Sequence, residues 1–212
     1  PPHLIGGLGR AVTYITKRLA EHDVVRVVTL GLPGQVFDEY TDSLHVYRVD
    51  PFAIRSTGLV SWIYSFNFLI LEKALTSMPK PKLIHVHDWL TAPAGIALKH
   101  LWHVPMVLTV HATEYGRARG SITTPMQLQI HYWEWRATYE AWRITVCSQA
   151  MKHEVLAAFN TPSDKVVVIP NGVELEDIDG VKVEPGDKDR YVLPWEKMVF
   201  FAGRHVYDKG VD

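Results

Sequence analysis

His85-Val86-His87-Asp88-Trp89 places two imidazoles on one face of a prospective strand, because side chains two apart in a strand point the same way. Such a pair can ligate a metal. Alternatively each ring is buried and hydrogen-bonded locally, the commoner fate of a strand histidine and the first reading for His85. Asp88 and Trp89 follow at the strand tip, where a carboxylate and an aromatic plate can hold a ligand's hydroxyls and its apolar face. A core Trp is the competing reading. His111 ends the apolar run Leu108-Thr109-Val110 and opens the polar loop Ala112 to Arg117, from which an imidazole can orient a reacting group or stand idle. Glu114 in that loop is a second cleft carboxylate or a solvated charge.

Two glycine-bounded stretches suit phosphate. Gly6-Gly7-Leu8-Gly9 opens a helix, where free N–H groups and the helix dipole favour an anion. It is neither a GxGxxG fingerprint nor a P-loop, and a structural turn would look the same. In Gly203-Arg204-His205-Val206-Tyr207-Asp208-Lys209-Gly210, a bidentate Arg204 and a point-charge Lys209 can clamp a diphosphate, or both can be solvated. The aromatic cluster Tyr132-Trp133-Glu134-Trp135 has helical spacing and reads as packing surface. Cys147 reads as a small buried residue rather than a nucleophile.

The elements that must position these groups alternate. Helical periodicity covers 8–22, 59–78, 92–102, 125–143 and 150–159, the last capped by Ser148. Apolar β-branched runs at 24–30, 45–49, 83–86, 106–110, 144–147, 166–169 and 198–202 read as strands. Residues 174–196 read as a linker. Alternation predicts an α/β fold with a mostly parallel sheet covered by helices on both faces, whose ligands bind beyond the strands' carboxyl ends.

The 212 residues are 47% apolar and 21% charged, with a net charge of −1. That balance suits a globular protein and gives no basic surface for nucleic acid or anionic lipid. A lone cysteine excludes an internal disulfide and suits a reducing cytoplasm. The longest apolar stretch, Leu59 to Leu71, is too short to span a bilayer. The opening at Pro1 and the stop at Asp212, both inside motifs, read as a fragment.

In order along the chain stand Pro-Pro-x-x-x-Gly-Gly-Leu-Gly, His-x-His-Asp-Trp, Thr-x-His, Val-Ile-Pro-Asn-Gly-Val and Phe-x-Gly-Arg-x-x-x-x-Lys-Gly-x-Asp. This series resembles the retaining GT-B glycosyltransferases, the glycogen and starch synthases and the "group 1" family beside them. Departures are Leu4-Ile5-Gly6-Gly7 where bacterial glycogen synthases carry Lys-x-Gly-Gly, and Arg10 where an Asp is frequent. The resemblance implies a Rossmann-like, doubly wound N-terminal domain over 1–195, its first strand preceding Pro1, with a donor domain starting at 196–212. It implies a cytoplasmic enzyme that moves a hexose from a nucleotide-sugar such as ADP-glucose or UDP-glucose to a glycan, with no cofactor or metal. Gly6, Gly7, Arg204 and Lys209 would meet the donor phosphates. Asp88, Trp89 and Glu114 would line the acceptor cleft, and His111 would serve the sugar in transit. Without its C-terminal domain the fragment would be inactive. A metal-dependent hydrolase built on His85, His87 and His111, or a non-catalytic binding domain, are the alternatives.

Overall fold

Strand and helix runs fold into the expected alternation in the computed structural model, which describes residues 6–31, 38–175, 182, 184 and 186–203. Helix α1 (Gly6–Leu19) leads to β1 (Val25–Leu30), then β2 (Glu39–Tyr40), β3 (Leu44–Val49) and α2 (Leu59–Ser77). Next come β4 (Ile84–His87), α3 (Ala92–Trp102), β5 (Met106–Val110), α4 (Glu114–Arg117), α5 (Pro125–Glu140), β6 (Arg143–Val146), α6 (Gln149–Phe159) and β7 (Val166–Val168). Two compact units result, Pro1–Asn171 and Gly172–Asp212, so the chain divides between Asn171 and Gly172.

The strands form two hydrogen-bonded sheets. One has the order β1-β3-β2, with β1 and β3 parallel and the two-residue β2 antiparallel. The other, β4-β5-β6-β7, is parallel throughout. Its register sets His87 beside Thr109 and Val110 beside Val146, which brings the carboxyl ends of β4, β5 and β6 to one edge.

Alternation sorts the second sheet's faces. Val86, Met106, Leu108, Ile144, Val146 and Val166 point to one side and are at most 3% exposed. They pack against Ala92 and Ile96 of α3, Ala137 of α5, and Val155 and Phe159 of α6. Burying each such aliphatic side chain contributes roughly 1.5–3 kcal/mol. Contact is closest at Gly95 of α3, where an added Cβ would lie 2.3 Å from Val86 Cγ2. The opposite face carries a polar ladder: His85 Nε2 lies 2.7 Å from Thr109 Oγ1, which lies 2.6 Å from Thr145 Oγ1.

Polar side chains tie the helices to the loops. Buried Asn67 of α2 donates through Nδ2 to Ile63 O and Leu90 O, each at 2.8 Å, and its Oδ1 accepts from Ala94 N at 2.9 Å. One amide thus fixes the segment between β4 and α3. Thr124 caps α5 in a reciprocal box with Gln127, and Ser148 Oγ accepts from Met151 N at 3.1 Å, the cap expected for α6.

Some expectations are corrected. The helix expected from residue 8 after a glycine turn begins at Gly6, so the glycines sit in its first turn. Residues 198–202, expected as a strand, form none: Val199 is 96% exposed and Phe200 79%, with no ladder to satisfy their backbone. The stretch read as a linker includes a 3₁₀ turn, Lys188–Arg190, within the second unit.

Candidate active site

The tip of β4 is bent sharply. Asp88 has φ 56° and ψ −176°, a left-handed φ that costs a non-glycine residue on the order of 1–3 kcal/mol. Hydrogen bonds offset that cost. Asp88 N donates to Thr109 O at 2.9 Å, and Asp88 Oδ1 accepts from His111 N at 2.7 Å. The Ala112 N–H also donates to the carboxylate. Burial raises the Asp88 pKa, against the lowering effect of those N–H groups and of His111 and Arg117. Asp88 therefore joins the tips of β4 and β5 and holds the backbone that carries His111.

The His111 ring is held as well. Its Nε2 lies 3.1 Å from His87 Nδ1, with the ring centroids 5.4 Å apart and the planes 24° from parallel. His87 in turn lies 4.2 Å, centroid to centroid, from the more open His85. Burial first, then the charges of His85 and His111, push the His87 pKa down to about 3. A neutral His87 faces His111 with one proton between the two nitrogens, so the tautomer of one ring sets that of the other. His85 and His87 each direct a ring nitrogen to a protein partner. Among the described residues, no group of three or more His, Cys, Asp or Glu is disposed to hold a metal ion.

The loop after β5 contains the short helix α4. Thr113 caps it, accepting from Gly116 N at 2.8 Å while its hydroxyl donates to Glu154 Oε1 of α6. An added Cβ at Gly116 would lie 2.6 Å from that same oxygen, so a larger residue there would push the Glu154 carboxylate off Thr113. Glu114, read as a cleft carboxylate or a solvated charge, accepts from Arg117 Nε at 3.0 Å.

Sequence reading missed Glu134. It lies inside the aromatic stretch of α5, is 5% exposed, and reaches the same loop. Glu114 N donates to its Oε1 at 2.8 Å and to Oε2 at 3.0 Å, and Arg117 Nη2 donates to Oε1 at 3.2 Å. Burial pushes its pKa up to about 8, opposed by the Glu114 N–H and Arg117 and aided by the charges of Glu114 and Asp88. The available signal was helical spacing: Ile130, Ala137 and Thr138, three and four positions away, are all buried.

Trp89, read as a cleft plate or a core Trp, is 8% exposed, packs with Ile63 and Ile130, and borders one recess with Asp88 and Glu134. The other candidates fall elsewhere. Gly6 and Gly7 open α1, which packs on β1, and Gly7 has open space around it. Cys147 is half-buried; burial and the nearby Asp88 raise its thiol pKa, against a hydrogen bond with Asn171. Arg204 and Lys209 lie outside the described residues.

Residues 5–177 match the model of glycosyltransferase family 4. The chain belongs to that family. Among family relatives, an uncharacterized glycosyltransferase of Methanocaldococcus jannaschii is 34% identical over 220 residues, covering 100% of this chain and 55% of that protein. A glycogen synthase of Mycobacterium tuberculosis is 30% identical over 230 residues, covering 100% of this chain and 53% of that protein. The chain thus spans about half the length of the curated relatives it matches. The catalytic domain of starch synthase IV from Arabidopsis thaliana, solved with ADP and acarbose, has a TM-score of 0.61 at 20% identity, over 82% of this chain and 50% of that one. At that identity the likeness is one of fold, and the fold is the GT-B one. Family membership goes against the metal-dependent hydrolase.

Proposed function

We propose that the protein to which this chain belongs transfers a hexose, glucose foremost, from a nucleoside diphosphate to a glycan acceptor with retention of configuration, in the manner of a glycogen synthase. The observation that carries this reading is the doubly anchored His111, its N–H held by Asp88 and its ring by His87 at the tip of a parallel strand. Ligands of parallel sheets meet the protein at such tips. A fixed imidazole there donates a hydrogen bond to the sugar as its bond to the diphosphate breaks. The acceptor oxygen bonds to the anomeric carbon, and the acceptor's proton leaves with the diphosphate.

Asp88 acts by holding His111, since its carboxylate already accepts backbone N–H groups. Negative charge growing on the leaving diphosphate needs fixed positive partners. Arg204 and Lys209 fit that need by residue type and spacing, and the first turn of α1, free of acidic residues, fits an approaching phosphate. The nucleotide-sugar, an ADP or UDP sugar, is a substrate, and no cofactor enters. On this reading other donor contacts come from a further domain of such an enzyme, and the 212 residues alone are expected to transfer no sugar. No described helix is long and apolar enough to cross a membrane, and the lone Cys147 supports a cytoplasmic setting.

The test is to incubate the complete protein with a panel of nucleotide-sugars, with and without glucan. The expected result is consumption of ADP-glucose or UDP-glucose that depends on glucan. Consumption of no sugar nucleotide, by the complete protein with any glycan acceptor, contradicts the reading.

A further inference from the structure

We propose that Glu134 is a positioning residue for transfer: from α5 its carboxylate fixes the backbone of Glu114 and the guanidinium of Arg117, and so sets where the His111 loop stands. The proposal rests on the reading of His111 given above. The loop from His111 to Arg117 is pinned at both ends. Asp88 takes the His111 and Ala112 N–H groups at its start, and Glu134 takes the Glu114 N–H and Arg117 three to six residues later. The two carboxylates come from different elements, approach the same few residues, and both border one recess with Trp89 and Ala112. Between them Thr113 donates to Glu154 of α6, so Asp88 and Glu154 hold the first half of the loop and Glu134 holds the half that carries Glu114 and Arg117.

A carboxylate that served packing alone has little reason to be there. A buried carboxyl group costs free energy unless its oxygens find partners, and the neighbouring positions of the same face, Ile130, Ala137 and Thr138, are buried without placing a charge there. The charged and titratable groups facing Glu134 are Glu114 and Arg117 from the loop and Asp88 from the tip of β4. From α3, Lys99 and His100 reach Glu140 at the far end of the helix instead. Ionised Glu134 accepts from both partners; protonated, it holds Arg117 more weakly. The loop is therefore firmest above the Glu134 pKa and slackens as pH falls through it.

The experiment compares Glu134→Gln and Glu134→Ala with wild type in the complete protein, reading kcat, KM and the pH dependence of kcat, with His111→Ala alongside. Glu134→Ala is expected to lower kcat on the order of 10²-fold, as for a reacting group displaced by about 1 Å, while KM for the nucleotide-sugar stays within about threefold. Glu134→Gln keeps an acceptor for Glu114 N and recovers about tenfold of the loss. It should also erase the acid limb that wild-type kcat shows through the Glu134 pKa. Wild-type kcat and pH profile in both variants, with His111→Ala inactive, overturn the proposal. A loss in both variants with the acid limb unmoved also overturns it, because that is the mark of a structural role. Full transfer by His111→Ala overturns instead the reading beneath it.

Discussion

His87 Nδ1 stands 3.1 Å from His111 Nε2, so the two imidazoles share one proton across a single hydrogen bond. If this contact fixes the His111 tautomer, His87→Ala in the complete protein should lower kcat by about 10–10²-fold, in the range of an orientation effect, and leave KM nearly unchanged. Steady-state kinetics check this. Unchanged kcat would show that His111 is oriented without its neighbour.

The same ring makes stability depend on pH. Burial holds the folded His87 pKa at about 3, below its ordinary 6.5, so between those values the folded state binds fewer protons than the unfolded chain. The stability is present above 6.5 and is lost as pH falls through the window toward 3. Glu134 runs the other way: its folded pKa, about 8 against 4.5, contributes stability below 4.5 that is lost as pH rises through 8. Urea unfolding across roughly pH 4 to 9 should show both limbs. His87→Gln should reduce the acid limb, which His85, pushed down to about 4, shares, and Glu134→Gln should flatten the alkaline one.

Gly95 tests the packing of α3 on β4. A Cβ added there would meet Val86 Cγ2 at 2.3 Å, so Gly95→Ala should destabilise by about 1–3 kcal/mol through overpacking. Ile144→Ala, from a fully buried position, should cost about 2–5 kcal/mol through the cavity it leaves. Denaturant unfolding measures both, and a neutral Gly95→Ala would mean that the helix can shift away.

Asn67 predicts a polar counterpart. Replacing it with Leu leaves Ala94 N without its acceptor and frees two carbonyls, at a cost of about 1–3 kcal/mol. Because Asn67 holds the segment after Asp88, amide hydrogen exchange should quicken at Leu90 to Ala94 before it does in β6.

Much of this architecture was legible because it rests on local pattern. Apolar patterning located α3 and β5 at their observed ends, with Pro105 introducing β5, and Ser148 announced the cap of α6. Short elements were not legible. β2 and α4 are two and four residues long, too few for a period to develop. The expected strand at 198–202 had the composition of a buried strand, but a strand also needs neighbours, which composition does not report. At the candidate site, His111 and Asp88 stand at strand tips, the positions their place after apolar runs indicated, and the fold brings them together. Glu134 and Asn67 were passed over because each acts on a loop far away in sequence, and only the fold brings helix and loop together. Trp89 shows both sides: it borders the recess beside Asp88, as its place at the strand tip suggested, while its packing neighbours Ile63 and Ile130 lie in the distant α2 and α5.

Whether His111 serves a sugar in transit is decided by assaying transfer from nucleotide-sugar to glycan in the complete protein carrying His111→Ala. With unfolding midpoint and circular dichroism unchanged, transfer should fall on the order of 10²–10³-fold, the loss typical of a preorganised hydrogen-bond donor. Wild-type transfer should be undiminished in excess EDTA. Wild-type rates in the folded His111→Ala protein would refute the role given to this histidine, and so would loss of wild-type transfer on chelation together with one tightly bound zinc per chain.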